Sequence, residues 1–405
     1  MIRGVWKIGV AGALSAAVAV GAQAEELRIG ALVPTTGDLQ VYGETSYNGI
    51  RLAVEEINEQ GGVLGNDIRL RSGDTQTSPQ AGVDAAQRLA TVEGVHAFVG
   101  ALSSGVTIPV AQSVSRVEGI PQISNASTSP VITDLDDDDF LFRTTPSDAF
   151  QGVALAQIAK DEGNENLAVL YINNDYGLGL AEAFEAGFED LGLNVTGMAA
   201  YEPGQASYRG ELRRVARGGN PEALVLIGYP ENGQTIIRQA LEGGFFERFV
   251  FTDGLRSPEM ISAIGAEHMD GTIGSAPRAM EGSEAAEYFR EAYEAAYGEL
   301  PPQPFIDSAY DAVYLIALAA QRAGVLDRVA IRDNLRAVAN PPGEVVGPGD
   351  WARAVELLAA GQEVNYEGAS GSVDLDENGD VPGTFAHWRV EGGEIRDIRV
   401  FAPGD

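Results

Sequence analysis

The chain has 405 residues, no Cys, three His and a formal charge of −32, from 27 Lys and Arg against 59 Asp and Glu. The lack of Cys excludes a disulfide framework and any thiolate metal site, and so negative a chain argues against nucleic acid or an anionic membrane surface as partner. Hydrophobic residues make up 44% of the chain, enough for real cores, and the length suits about two or three domains.

Arg3 and Lys7 precede an uncharged stretch from Ile8 to Ala22, and Ala22-Gln23-Ala24 offers small residues before Glu25-Glu26. This order predicts a secretory signal peptide over 1–24, cleaved after Ala24, and an exported, soluble remainder. No later stretch reaches the roughly 20 apolar residues of a membrane span. Leu27 to Val33 reads as a strand, followed by a Pro34 to Gly43 loop that carries Tyr42. A helix with Ile50, Val54 and Ile57 on one face then runs to Gly61-Gly62. Asp67 to Arg71 is a second strand, and Pro79 to Val92 a helix with Ala81, Ala85, Leu89 and Val92 on one side.

Two hydroxyl-rich loops come next. Val95 to Val99 runs into Gly100-Ala101-Leu102-Ser103-Ser104-Gly105, where a helical stripe of Val106, Val110, Val114 and Val117 begins. Gly119 to Ile123 runs into Asn125-Ala126-Ser127-Thr128-Ser129-Pro130, with Pro130 as a first-turn helix residue. Free backbone N–H groups at helix starts favour an anion and hydroxyls add donors, so the two loops together read as a docking site for a carboxylate. Taken singly, Ser104 and Thr128 read as plain N-caps.

Asp134 to Asp139 is an acidic run, read as a solvated turn. Strand–helix alternation then restarts with Leu167 to Ile172 and Gly179 to Gly192, Ala223 to Ile227 and Glu231 to Gly243, and Phe249 to Thr252 ending in Asp253-Gly254. Two alternating blocks predict two α/β lobes whose mostly parallel sheets are covered on both faces. Ser283 to Gly298 and Asp307 to Ala323 are helical patterns, and Gly371 to Val400 is β-type. Asp374 to Asp380 starts like a calcium loop, but Phe385 stands where the twelfth position wants Glu, so Asn378-Gly379 is expected to turn a hairpin.

His96, His268 and His387 are scattered, and no HExxH, G-x-S-x-G or phosphate-loop sequence occurs, so no metal, cofactor or catalytic residue is expected. Gly177-Leu178-Gly179 follows a strand, but Glu182 occupies a position that close helix packing reserves for a small residue, which argues against a dinucleotide site. Carboxylate pairs such as Asp253 with Glu231 are explained by chance in so acidic a chain. What remains is a set of recognition groups at strand ends, where open α/β sheets bind ligands: Tyr42, Tyr176, Tyr229 and Asp253. Hydroxyls for a carboxylate, an acid for an ammonium and aromatics for an apolar body make an α-amino acid site.

Several stretches carry a resemblance: Gly37 to Gly43 with Tyr42, Ile57-Asn58-Glu59-Gln60-Gly61-Gly62-Val63-Leu64-Gly65-Asn66, Phe142-Arg143-Thr144-Thr145, Asp175-Tyr176-Gly177, and Gly233-Gln234 through Arg238-Gln239-Ala240. In these the chain resembles the periplasmic leucine/isoleucine/valine-binding proteins, the solute receptors of branched-chain amino acid ABC transporters. The resemblance implies an α/β fold of periplasmic binding protein type I, with two Rossmann-like lobes joined by a three-crossover hinge. Lobe 1 would be 25–145 plus 278–368 and lobe 2 146–277 plus 369–405, with crossings near Thr144 to Pro146, Ser275 to Arg278 and Ser370. Ser104 and Thr128 would hold the ligand carboxylate, with Ser127 between Thr128 and Ala126 in the same loop. The Ala126 carbonyl, the Thr128 hydroxyl and Asp253 would hold the ammonium, and Tyr42, Tyr176, Tyr229 and Phe305 would line the side-chain pocket. Two departures stand out: Asp253 replaces the Glu that members often carry, and the loop before Tyr229 to Gly233 is one residue shorter. The implied protein is a monomeric periplasmic receptor that delivers an α-amino acid, branched-chain or otherwise aliphatic, to an inner-membrane ABC permease. The alternative is an exported receptor for a small amide, urea or another metabolite.

Overall fold

The computed structural model describes residues 1–2 and 25–403, so the expected signal peptide, apart from Met1 and Ile2, lies outside the described residues. Strands β1 (Arg28–Val33), β2 (Arg69–Asp74), β3 (Ala97–Gly100), β4 (Gln122–Ser124) and β5 (Leu141–Arg143) form a parallel sheet in the order β2-β1-β3-β4-β5. Every residue of β3, β4 and β5 is buried, as expected of parallel strands covered on both faces. In the second lobe β6 (Asn166–Ile172), β7 (Asn194–Tyr201), β8 (Ala223–Ile227), β9 (Phe249–Phe251) and β10 (Ile273–Pro277) repeat that order as β7-β6-β8-β9-β10.

Each lobe is thus a doubly wound sheet of the flavodoxin-like order, which specifies the Rossmann-like expectation more closely. The winding direction reverses between β1 and β3 in one lobe and between β6 and β8 in the other. The crevice outside the carboxyl ends of such a strand pair is where open sheets take ligands. An antiparallel hairpin, β14 (Phe385–Glu391) with β15 (Glu394–Phe401), extends the second sheet beside β10. A small third sheet of β11 (Glu344–Val346), β12 (Val364–Gly368) and β13 (Gly371–Ser372) flanks the first lobe.

The Ile306–Ala323 helix is largely apolar and buried from Ser308 to Ala320, as a central helix must be. It packs on the Gln40–Glu59 helix at Gly49, where a Cβ would lie 2.3 Å from the Ile306 carbonyl oxygen. No helix among the described residues is long and apolar enough to cross a membrane.

Several expectations need correction. Tyr42 sits in the first turn of the Gln40–Glu59 helix, not in a loop, because Gly37, at φ +89°, turns the chain early against the Gln76 carbonyl. Val106, Val110 and Val114 are buried, but a π-helical turn at Ala111–Ser115 shifts the register and leaves Val117 70% exposed. The acidic run is not bathed only by water: Arg116 pairs with Asp136 and Asp138, and Arg336 with Asp139. Asn378-Gly379 turns no β-hairpin. Asp376 closes that turn by accepting from the N–H groups of Asn378 and Asp380, at 2.8 and 2.9 Å, and neither flank is a strand.

The third crossing is displaced as well. Gly371 and Ser372 still pair with β12, and Asp380 is bound at the end of β5, so the chain passes to β14 through Val381–Thr384 instead of near Ser370. There it meets the other two crossings. The Arg278 N–H donates to the Thr384 carbonyl at 3.0 Å, and a Cβ on Gly383 would lie 2.2 Å from Pro146.

Arg143 anchors this junction from a fully buried position. Its Nε and Nη2 each donate at 2.6 Å to the Asp380 carboxylate, and its remaining donors reach the Ser129 carbonyl (3.0 Å) and the Thr133 hydroxyl (2.8 Å). Removing one partner of a buried pair leaves an uncompensated charge, at a cost of roughly 3–5 kcal/mol. Asp380→Ala should therefore lower the urea-unfolding free energy by about that amount. An unchanged midpoint and slope would show that water reaches Arg143 and that the pair is dispensable.

Candidate functional site

The two switch points face each other across a cavity between the lobes. Leu39, Tyr42, Leu102, Ser104, Ala126 and Phe305 line it from the first lobe, and Tyr176, Tyr229, Asp253 and Gly254 from the second. The walls are mainly apolar with a few polar groups, the usual make-up of a binding site. Of the residues expected from sequence, Tyr42, Ser104, Ala126, Tyr176, Tyr229, Asp253 and Phe305 meet in this cavity, and Ser127 and Thr128 do not line it.

In the first lobe the helix caps are Ser103 and Ser129, so Ser104 and Thr128 are not plain N-caps. Ser104 is the first helical residue, and its Oγ accepts from the Ser129 N–H at 3.2 Å, which leaves its own O–H free to donate. Ser127 turns inward: its Oγ lies 2.9 Å from the Ala101 carbonyl, 3.1 Å from that of Leu102 and 2.7 Å from the Thr107 hydroxyl, bracing one loop against the other. Thr128 is fully buried, its carbonyl accepts from the Asp148 N–H at 2.7 Å, and its hydroxyl has no partner. Phe305 holds its ring on the cavity from a left-handed backbone, φ +77°, which is costly for a non-glycine residue. Its carbonyl accepts from Asn125 Nδ2 at 3.1 Å, tying it to the second hydroxyl loop.

In the second lobe Asn174 caps the Asp175–Asp190 helix by accepting from the Gly177 N–H at 2.9 Å. The helix therefore starts before Gly179, and Tyr176 stands in its first turn. The Tyr176 and Tyr229 rings stack with centroids 5.6 Å apart. Asp253 is 3% exposed and accepts at Oδ1 from Gln151 Nε2 (2.8 Å) and the Tyr176 hydroxyl (3.0 Å), which leaves Oδ2 open to a ligand. Among the described residues it has no ion-pair partner: the buried Arg143 is paired with Asp380 and the buried Arg256 with Asp397. Burial pushes the Asp253 carboxyl up to about 6, against the Gln151 and Tyr176 side chains and the Asp253 and Gly254 backbone N–H groups, which favour its charge. The same desolvation raises the Tyr42 and Tyr176 hydroxyls, which stay neutral donors.

The lobes meet around the cavity. The Tyr42 hydroxyl donates across the cleft to the Asp253 carbonyl at 2.9 Å, Ser103 Oγ and the Tyr229 hydroxyl lie 3.0 Å apart, and Asn232 Nδ2 donates to Asp38 at 2.8 Å. Sequence reasoning missed Leu39, Leu102 and Gly254 in the walls, and Gln151 behind Asp253. Gly254 has a packing signature, since a Cβ there would lie 2.5 Å from the Gly228 carbonyl. The Leu residues are flanked by hydroxyls that drew the reading to polar groups. Among the described residues no cluster of three or more His or acidic side chains is placed to hold a metal.

Gly177 and Gly179 serve packing. A Cβ on Gly177 would lie 2.0 Å from the Ile172 carbonyl beneath it, and one on Gly179 would lie 2.6 Å from Pro130 Cδ on the opposite lobe. Gly179→Val should wedge the lobes apart while leaving each one folded. Small-angle scattering is expected to give a larger radius of gyration than wild type at saturating ligand, with unchanged far-UV circular dichroism. Equal radii would mean that the Pro130 turn yields and does not gate closure.

Comparison with known proteins places residues 26–366 in the periplasmic binding protein family. The leucine-, isoleucine-, valine-, threonine- and alanine-binding protein of Pseudomonas aeruginosa is 30% identical, over 78% of this chain and 83% of its own. The structure of a leucine-binding protein from Thermotoga maritima superposes with a TM-score of 0.79 at 28% identity, covering 93% of this chain and 99% of that one. A branched-chain amino acid transporter substrate-binding protein from Streptococcus pneumoniae, solved with isoleucine, gives 0.78 at 25% identity, covering 94% and 100%.

Proposed function

We infer that this chain, which belongs to the periplasmic binding protein family and within it to the leucine/isoleucine/valine-binding proteins, captures a zwitterionic aliphatic α-amino acid between its lobes. Working as a monomer in the periplasm, it would hand the ligand to an inner-membrane ABC permease, as a receptor and not an enzyme. The observation that carries the ligand class is Asp253, a buried carboxylate without a protein cation on the wall of an otherwise mostly apolar cavity. An unpaired buried charge is costly, so the favoured ligand brings its own cation.

The rest of the ligand follows from the remaining walls. The free Ser104 hydroxyl and the adjoining backbone N–H groups at the start of its helix suit a carboxylate. Leu39, Leu102, Tyr42 and Phe305 suit an aliphatic side chain of modest size. Ala126 stands in the same wall, and its carbonyl would accept from the ammonium. A bare carboxylic acid would leave Asp253 unpaired, and an uncharged amide or urea would bring no counter-charge.

Calorimetry of refolded protein against free amino acids, acetamide and urea tests this reading, because refolding removes any carried-over ligand. Heat with L-leucine or L-valine is expected; heat with the amides alone would replace the reading with the other. Asp253→Asn should lose roughly 2–5 kcal/mol of L-leucine affinity, about one to four orders of magnitude, and change the weak binding of 4-methylpentanoate little. Equal losses for both would mean that Asp253 holds the lobe together and does not read the amine.

A further inference from the structure

A second acid lies behind Asp253. Asp148 opens the Asp148–Asp161 helix just after the first crossing and is wholly buried, yet neither its Oδ1 nor its Oδ2 has a hydrogen-bond partner. The Thr128 hydroxyl beside it is directed at it but lies outside normal hydrogen-bond geometry, and Oε1 of Gln151, one helical turn on, is buried and unpartnered. The titratable and charged groups that face Asp148 are Asp253 from the turn after β9, Arg143 from the end of β5 and Tyr176 from the neighbouring helix. Arg143 cannot serve as its counter-ion, since Asp380 holds that guanidinium at two points and Ser129 and Thr133 take its other donors.

Two buried carboxylates that feel one another's charge do not both ionise readily, and hydrogen-bond donors decide which one does. Asp253 has the Gln151 amide and the Tyr176 hydroxyl within hydrogen-bond distance, whereas the Thr128 hydroxyl, the donor directed at Asp148, lies outside normal hydrogen-bond geometry. The charge therefore settles on Asp253 and the proton on Asp148. Burial first, and the nearby Asp253 charge second, push the Asp148 carboxyl well above the usual range.

We propose that Asp148 keeps its proton at neutral pH, so that the pair offers a single negative charge to the ligand and releases it in mild acid. The proposal rests on the receptor reading above and deepens it by saying where the proton of the acid pair sits. The sign of the acid effect follows from Asp253, whose carboxyl titrates at about 6. Above that pH it is ionised and attracts an ammonium. Below it the pair takes up a second proton, and affinity should fall by about tenfold per pH unit, as for any one-proton competition.

The test begins with ¹³C carboxyl resonances of the protein without added ligand, followed from pH 4 to 8 and assigned with Asp148→Asn and Asp253→Asn. One carboxyl should titrate near pH 6 and the other remain protonated at pH 7.5; two ionised carboxylates at pH 7.5 would overturn the proposal. Calorimetry with L-leucine supplies a second arm. Asp148→Asn should bind within about threefold of wild type at pH 7.5, because a neutral group replaces a neutral group. A loss of tenfold or more in a variant with a folded spectrum would show instead that the ligand uses a charge on Asp148. If wild type binds no amino acid at all, the receptor reading fails, and the carboxyl titration still decides where the proton sits.

Discussion

The Arg143–Asp380 pair is the interaction on which most of the site's geometry depends. It joins the last strand of the first sheet to the segment that enters the third crossing, and the same guanidinium fixes the Ser129 carbonyl, one residue beyond Thr128. Three things that could move independently, a strand end, a hinge strand and a ligand loop, are thereby locked to one planar group. Arg suits this role because its fork of donors satisfies a carboxylate and a carbonyl at once. Its full engagement also explains why no cation is left for the acids across the junction.

The second constraint is topological. Two sheets with the same winding order, set carboxyl end to carboxyl end, bring two switch points onto one cavity, so each lobe contributes loops and neither holds a complete site. Groups separated by about 200 residues then bond directly, as Tyr42 does with Asp253. Close approach needs small residues at the lips, which is the role of Gly179 against Pro130. It also strips water from the cavity, and each polar group inside must then find a partner or wait for a ligand.

Much of this was legible in the sequence. The alternation of apolar runs with helical stripes placed seven of the ten parallel strands, because buried parallel strands are continuously apolar and short, and missed β5, the half-exposed β7 and β10. Tyr42, Tyr176, Tyr229 and Asp253 were recognised by standing at strand exits. The failures share a cause, since direction of side chains within a loop is not written in its composition. Ser127 and Ser104 are equally hydroxylic, yet one braces the loops and the other faces the cavity. Asp148 after Ser147 looks like an ordinary acid in a helix's first turn, which favours the dipole, and only the tertiary fold buries it. The third crossing was misplaced because its marker, the Asp380 contact with Arg143, joins residues far apart in the chain.

Burial of an acid does not by itself mark a site, as Asp311 shows. Its carboxyl, like that of Asp253, is raised to about 6 by desolvation. Asp311, however, accepts from the Tyr366 hydroxyl, the N–H groups of Ala369 and Ser370, and the Ser370 hydroxyl, so both oxygens are occupied and the group clamps β12 to β13. Asp253 has donors on one oxygen only, and the other is left at a cavity whose walls supply no cation. The acid with both oxygens taken is a structural tie, and the acid with one oxygen open is a receptor. Asp148, with neither oxygen taken, is the third case, in which a proton must do what no neighbour does.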